Sequence, residues 1–235
     1  VSAIISEGSS VKRIRYKDRI TKKEEEIVLD KDDFVVSTIP LQGIPRLMGD
    51  GINPTTAEKI TKGLQLNDLI MVFFRIDRQS LLDDSWVFVP DPEITFHRLS
   101  EQESFDPGMT PNGSIVCCEI MSNPTRPMSE LSDEELIASA RKGLTDMGYD
   151  GFSIIDQRVI RLPLSYPLFW AGFPPVLSEI LADLDQFKNF RTVGRQGSFS
   201  YIGTLDAMDI GYGMARWLIN RKEGNSDIMW KEERK

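Results

Sequence analysis

Between Phe190 and Asn220 a short apolar strand, Phe190-Arg-Thr-Val193, runs into Gly194-Arg-Gln-Gly197 and then into a long helical pattern from about Leu205. This strand–glycine–helix order constrains the chain more than any other segment. Glycine lets a backbone turn sharply and lets a ligand come close to it. Gly197, Ser198, Ser200 and Gly203 keep the loop small, and Thr204 opens the helix. The first turn of a helix carries N–H groups without intrahelical partners and the positive end of the dipole, a setting for an anionic or electron-rich group. The same order also serves as plain topology. From the residues alone it marks either a ligand site or a connection.

The rest of the chain reads as α+β. Val1-Ser-Ala-Ile-Ile5, Val11-Lys-Arg-Ile-Arg-Tyr16 and Glu26-Ile-Val-Leu29 predict a meander, with Lys17 to Glu25 as a charged connection. The cluster Glu24-Glu25-Glu26 reads as a solvated turn. Asp33 to Pro40 is nearly continuous in apolar residues and predicts a strand buried on both faces. Pro40 and Gly43 then turn the chain into a new region. Asn53 and Pro54 predict a helix start, running to about Leu66. Leu69–Phe74, Trp86–Val89, Ile94–His97 and Ile115–Ile120 predict an antiparallel sheet. Ser132-Asp-Glu-Glu135 is a capping box for a helix that stops at Gly148. A strand over Ile154–Leu162, an extended bend at Tyr166-Pro167 and a helix over Pro175–Leu184 follow.

Composition narrows the chemistry. A net charge of -8 opposes general nucleic-acid binding, which needs a basic surface, although a local basic patch is compatible with it. No apolar run reaches the ~18 residues of a membrane span, and Val1-Ser-Ala-Ile-Ile5 is not a signal peptide. The start without Met fits a processed chain or a fragment. Cys117 and Cys118 are adjacent on a predicted strand and point to opposite faces, which disfavours a disulfide and fits a reducing, cytoplasmic setting. One histidine, His97, excludes a zinc site with two His ligands, and no Gly-x-Ser-x-Gly elbow is present. The chemistry is therefore expected to come from a cofactor.

Gly194-Arg-Gln-Gly-Ser-Phe-Ser-Tyr201 followed by Asp206-Ala-Met208 resembles the C-terminal flavin-binding segment of amine oxidase and protoporphyrinogen oxidase-type flavoproteins, and that of UDP-galactopyranose mutase. Val1-x-x-Ile4, Val11 and Phe34-Val-Val-Ser-Thr-Ile-Pro40 resemble the first strand, meander and crossing strand of the same family. Glu119, Ser132-Asp-Glu-Glu135, Arg161 and Tyr166-Pro167 are similar to its substrate domain, so the resemblance covers nearly the whole chain. It implies FAD as cofactor, with Gly194 and Arg195 near the pyrophosphate and ribityl chain. Thr204, Leu205 and Asp206 would lie at the pyrimidine edge of the ring, Gly203 would also be cofactor-binding, Val1 would lie at the adenine, and Thr38 and Pro40 at the domain crossing. It implies that 1–40 and 190–222 are a remnant of an FAD-binding Rossmann-like domain, 41–189 a mainly antiparallel substrate domain with helices, and 223–235 a charged tail. The activity implied is hydride transfer from a small-molecule substrate to flavin. Alternatives are a non-redox mutase acting on a nucleotide sugar, or a binding module that lost the cofactor. The family's Gly-x-Gly-x-x-Gly unit is absent, and Gly211-Tyr-Gly213 sits in a helical pattern and does not replace it. A missing N-terminal FAD-binding part is therefore an expected partner. His97 reads either as a residue orienting substrate or flavin or as a hydrogen-bonded structural one. Arg161, Tyr166, Trp86, Phe88 and Phe96 likewise read either as cavity lining or as packing.

Overall fold

The computed structural model describes residues 1–221; the charged tail 223–235 lies outside them. The chain forms two compact units, 1–65 with 167 onward, and 66–166.

The first unit begins with an antiparallel meander of β1 (Ala3–Glu7), β2 (Ser10–Lys17) and β3 (Glu24–Val28). Gly8, at φ +57°, makes the first tight turn. The acidic cluster 24–26 is strand, not turn. Charge pairs across β2 and β3 decide this: Arg15 meets Glu26 at 3.3 Å, and the Tyr16 hydroxyl donates to Glu25 at 2.5 Å. Opposite charges on facing strands stabilise the ladder. The turn falls at Asp18–Lys23, where Asp18 Oδ1 accepts from Ile20 and Thr21 amides.

β4 (Val35–Ser37) is shorter than expected, and Val36 is 40% exposed, so it is not buried on both faces. Next come α1 (Ile44–Met48) and α2 (Pro54–Glu58), the latter capped by Asn53 Oδ1 on the Thr55 amide at 2.9 Å. The expected continuation to Leu66 instead widens into a π-turn, Lys59–Gly63, and stops. Gly63 explains the stop. The Trp170 indole donates to its carbonyl at 3.0 Å, and a Cβ there would lie 2.7 Å from Val176.

The second unit is an antiparallel sheet in the order β6-β7-β8-β5-β9. Its strands are β5 (Gln65–Ile76), β6 (Trp86–Phe88), β7 (Arg98–Glu101), β8 (Ser114–Ser122) and β9 (Ile154–Leu168). The helix α3 (Asp133–Asp146) covers one face. Its capping box is formed: the Glu135 amide donates to Ser132 Oγ and the Ser132 amide to Glu135 Oε2. Ile70, Val72, Phe74, Leu99, Cys118 and Ile120 pack with Leu136, Ala140 and Leu144 in this core. The predicted strand Ile94–His97 is not one. Ile94 and Phe96 enter the core, while the strand runs through Arg98-Leu-Ser-Glu101, whose polarity disguised it. Tyr166-Pro167 is not a bend, because β9 continues through it.

The chain returns to the first unit with α4 (Phe173–Asp185), β10 (Phe190–Thr192), the short turn α5 (Gly194–Gly197) and α6 (Thr204–Arg221). β10 pairs with β4 in parallel. By contact the compact units divide after 65 and after 166. Residues 41–65 and 167–189 are tied to each other through Thr56 Oγ1 to Asp183 at 2.7 Å and Lys59 to Glu179 at 2.8 Å, and to the N-terminal segment through Ser6 Oγ to the Gly51 carbonyl at 3.2 Å and the Val11 amide to Asn189 Oδ1 at 2.8 Å. No described helix is long and apolar enough to cross a membrane.

Candidate functional site

The parallel pair β4–β10 ends in two adjacent turns. Thr38 and Pro40 follow β4, and Gly194 follows β10. The Val193 amide donates to the Ser37 carbonyl at 2.9 Å and ties the two strand ends together. Gly194 has φ +78° with open space where a Cβ would stand. Gly197 is required by contact, since a Cβ there would lie 2.9 Å from the Ser37 carbonyl oxygen and 2.7 Å from Thr192 Oγ1. Thr192 Oγ1 donates to the Gly197 carbonyl at 2.6 Å and closes the turn. What the sequence offered as an open glycine-rich loop is thus a helical turn locked onto two strand ends.

Arg195 holds the loop that follows. Its Nη1 donates to the Ile202 carbonyl at 2.5 Å, and its guanidinium lies 4.4 Å from the centre of the Tyr201 ring. The Gly203 amide donates to Asp206 Oδ2 at 2.9 Å, which fixes the entry to α6. Thr204 and Leu205 begin the helix, and Leu205 is 80% exposed. Their first-turn amides have no intrahelical acceptor by construction. Thr38, Gly194, Arg195, Gly203, Thr204 and Leu205 therefore share one end of the unit, while Pro40 opens the turn leading into α1. Val1 precedes the separate meander sheet and is 65% exposed.

α6 is two-faced. Gly213, Met214 and Trp217 are buried, with Phe34 edge-on to Trp217 at 5.3 Å and the Arg191 guanidinium 5.0 Å from the Trp217 ring. On the other side Leu205, Met208, Tyr212 and Ile219 form an exposed apolar stripe at three-, four- and seven-residue spacing. Sequence reading missed this stripe, although its spacing was visible. Gly211 and Gly213 lie inside the helix, as their rejection as a nucleotide motif requires.

The remaining candidates belong to the second unit. Arg98 grips Glu119 with two nitrogens, at 2.6 to 2.9 Å. His97 is half-buried, its Nδ1 has no hydrogen-bond partner among the described residues, and burial lowers its pKa. Arg161 pairs with Asp133 and donates to the Leu131 carbonyl at 2.8 Å. Phe96 is core, while Trp86 and Phe88 are exposed and stack edge-on. Cys117 and Cys118 are free and buried, and burial pushes the Cys117 thiol up to about 12. Among the described residues no group of acids, histidine and cysteines could hold a metal.

No family model matches the sequence, and no curated protein does. The fold, however, is shared with solved oxidoreductase and mutase structures. A reduced UDP-galactopyranose mutase superposes with a TM-score of 0.67 at 16% identity, over 85% of this chain and 41% of the mutase. A structure assigned as a protoporphyrinogen oxidase, from Exiguobacterium sp. 255-15, gives 0.57 at 18%, over 83% and 41%. An oxidoreductase from Methanosarcina mazei gives 0.56 at 15%, over 85% and 45%. The chain thus spans less than half the length of each of these structures.

Proposed function

We propose that this chain is the ring-side part of an FAD site in a flavin-dependent oxidoreductase. The observation that carries the reading is the exposed first turn of α6, held beside the open Gly194 turn at the end of a parallel strand pair. In this reading Thr204 and Leu205 present amides and the helix dipole to the pyrimidine edge of the ring, where they favour negative charge. Gly194 and Gly203 let the cofactor approach the backbone. Arg195 is tied to Ile202 and Tyr201, so it acts as a positioning residue for the loop. Thr38 and Pro40 border the same end, and Val1 would meet the adenine. Residues 1–40 and 190–222 would be the remnant of the flavin domain and 41–189 the substrate domain. When bound, the flavin supplies hydride-accepting chemistry, while the protein binds, orients and polarises.

The residues fit the ring end of FAD and not its phosphates, because no Gly-x-Gly-x-x-Gly unit is present. The exposed stripe Leu205, Met208, Tyr212 and Ile219 and the two-stranded parallel pair support an additional part. Parallel sheets occur almost only with both faces covered. The mutase fold favours a second reading, a non-redox flavin reaction on a nucleotide sugar. A module without cofactor is the third. The test is an FAD titration of the 235-residue chain, alone and co-expressed with a Gly-x-Gly-x-x-Gly βαβ fragment, followed by flavin absorbance. Bound flavin with the fragment supports the proposal, and net substrate oxidation then separates oxidoreductase from mutase. No flavin in either sample overturns it in favour of the module.

A further inference from the structure

The five-stranded sheet has one face under α3 and another that carries alternate residues of the same strands. On that second face Phe73 and Arg75 of β5, Ile115 of β8, and Arg158 and Ile160 of β9 surround a cavity of about 290 Å³. Register sets Arg75 directly opposite Ile115. The floor, Phe73, Ile115 and Ile160, is half-buried and apolar, while both arginines are exposed.

Two cations share this lining. They stand on neighbouring strands and line the same cavity. Among the described residues neither side chain is paired with a carboxylate. The sheet's other two arginines, Arg98 and Arg161, are each paired with a carboxylate. Acids are not scarce, with 36 against 28 basic residues. Asp156, the acid of the lining, already accepts the Gln157 amide at 2.8 Å. Two guanidinium groups against one carboxylate leave the lining positive in a chain whose net charge is -8.

We propose that this cavity binds an organic anion, a carboxylate or phosphate carried on an apolar body of one or two rings. Guanidinium forks suit both head groups, and an apolar floor with a few polar groups is the usual make-up of a small-molecule site. The inference rests on the second unit alone and is independent of the flavin reading.

Its test uses the 235-residue chain without flavin. 1-Naphthoate, 1-naphthyl phosphate and neutral 1-naphthol are titrated at neutral pH and followed by naphthalene fluorescence. At least one anion is expected to bind about tenfold or more tightly than 1-naphthol, the size of one good charge-assisted contact, and the tighter anion names the head group. R75Q/R158Q is expected to remove the preference while leaving 1-naphthol binding and thermal unfolding unchanged. High salt is expected to shrink the preference in the parent chain only. Each single variant is expected to lose part of it, so the test does not hang on the double variant folding. Anions that bind no better than 1-naphthol, or a preference that survives both substitutions, overturn the proposal.

Discussion

Glu101 is fully buried, and its carboxylate accepts the Leu81 amide at 2.7 Å and the Leu82 amide at 2.8 Å. Ser80 and Ser104 hydroxyls also donate to it, at 3.3 and 3.2 Å. Glu101→Ala leaves two buried amides without acceptors, at about 1–3 kcal/mol each, so a loss of about 2–6 kcal/mol is expected in urea unfolding. His97 gives a pH prediction. Burial holds its folded pKa below the unfolded value of about 6.5. The unfolded chain therefore binds the proton first. The stability advantage of a neutral His97 is complete above the unfolded pKa and is lost as pH falls towards the folded one. The stability difference between the parent chain and His97→Gln should shift against the parent below about pH 6.5; a pH-independent difference would contradict it. A polar residue at either position announces nothing about burial in sequence, and partners distant along the chain decide both cases.

Two glycines in helices carry opposite expectations. In α3 a Cβ on Gly143 would lie 2.7 Å from the Phe96 ring and 3.2 Å from Ile94 Cγ2. Overpacking costs about 1–3 kcal/mol and outweighs the ~0.5–1 kcal/mol that alanine gains in a helix, so Gly143→Ala should lower the melting temperature. Gly211 in α6 has open space around it, and Gly211→Ala should raise stability by about 0.5–1 kcal/mol. Elements whose signal is local were legible. The α3 capping box, the Asn53 cap, and strands β5 and β8 follow from a few neighbouring residues. Elements decided by distant partners were not: β7 hides behind Arg98 and Glu101, β3 behind its acidic run, and the stop at Gly63 behind Trp170 and Val176.

At the scale of the molecule, the α+β class and the antiparallel sheet were legible because their periodicities are strong. The contacts of Thr56 with Asp183 and of Lys59 with Glu179 were not, since they join segments more than a hundred residues apart. The turn at Gly194 was legible as a glycine-bearing connection; its locking by Gly197 and Thr192 needed coordinates. If the α6 stripe seats a further part, Leu205→Asp with Tyr212→Asp should leave the chain's own melting unchanged yet abolish co-purification with the βαβ fragment. The two cysteines offer a different kind of reading. Cys118 lies in the α3-covered core and Cys117 on the opposite face of the same strand, both nearly inaccessible. Alkylation of each, resolved by peptide mass, would act as a pair of clocks on neighbouring residues. Equal labelling rates would mean that the sheet opens as one body, and unequal rates that one of its faces opens first.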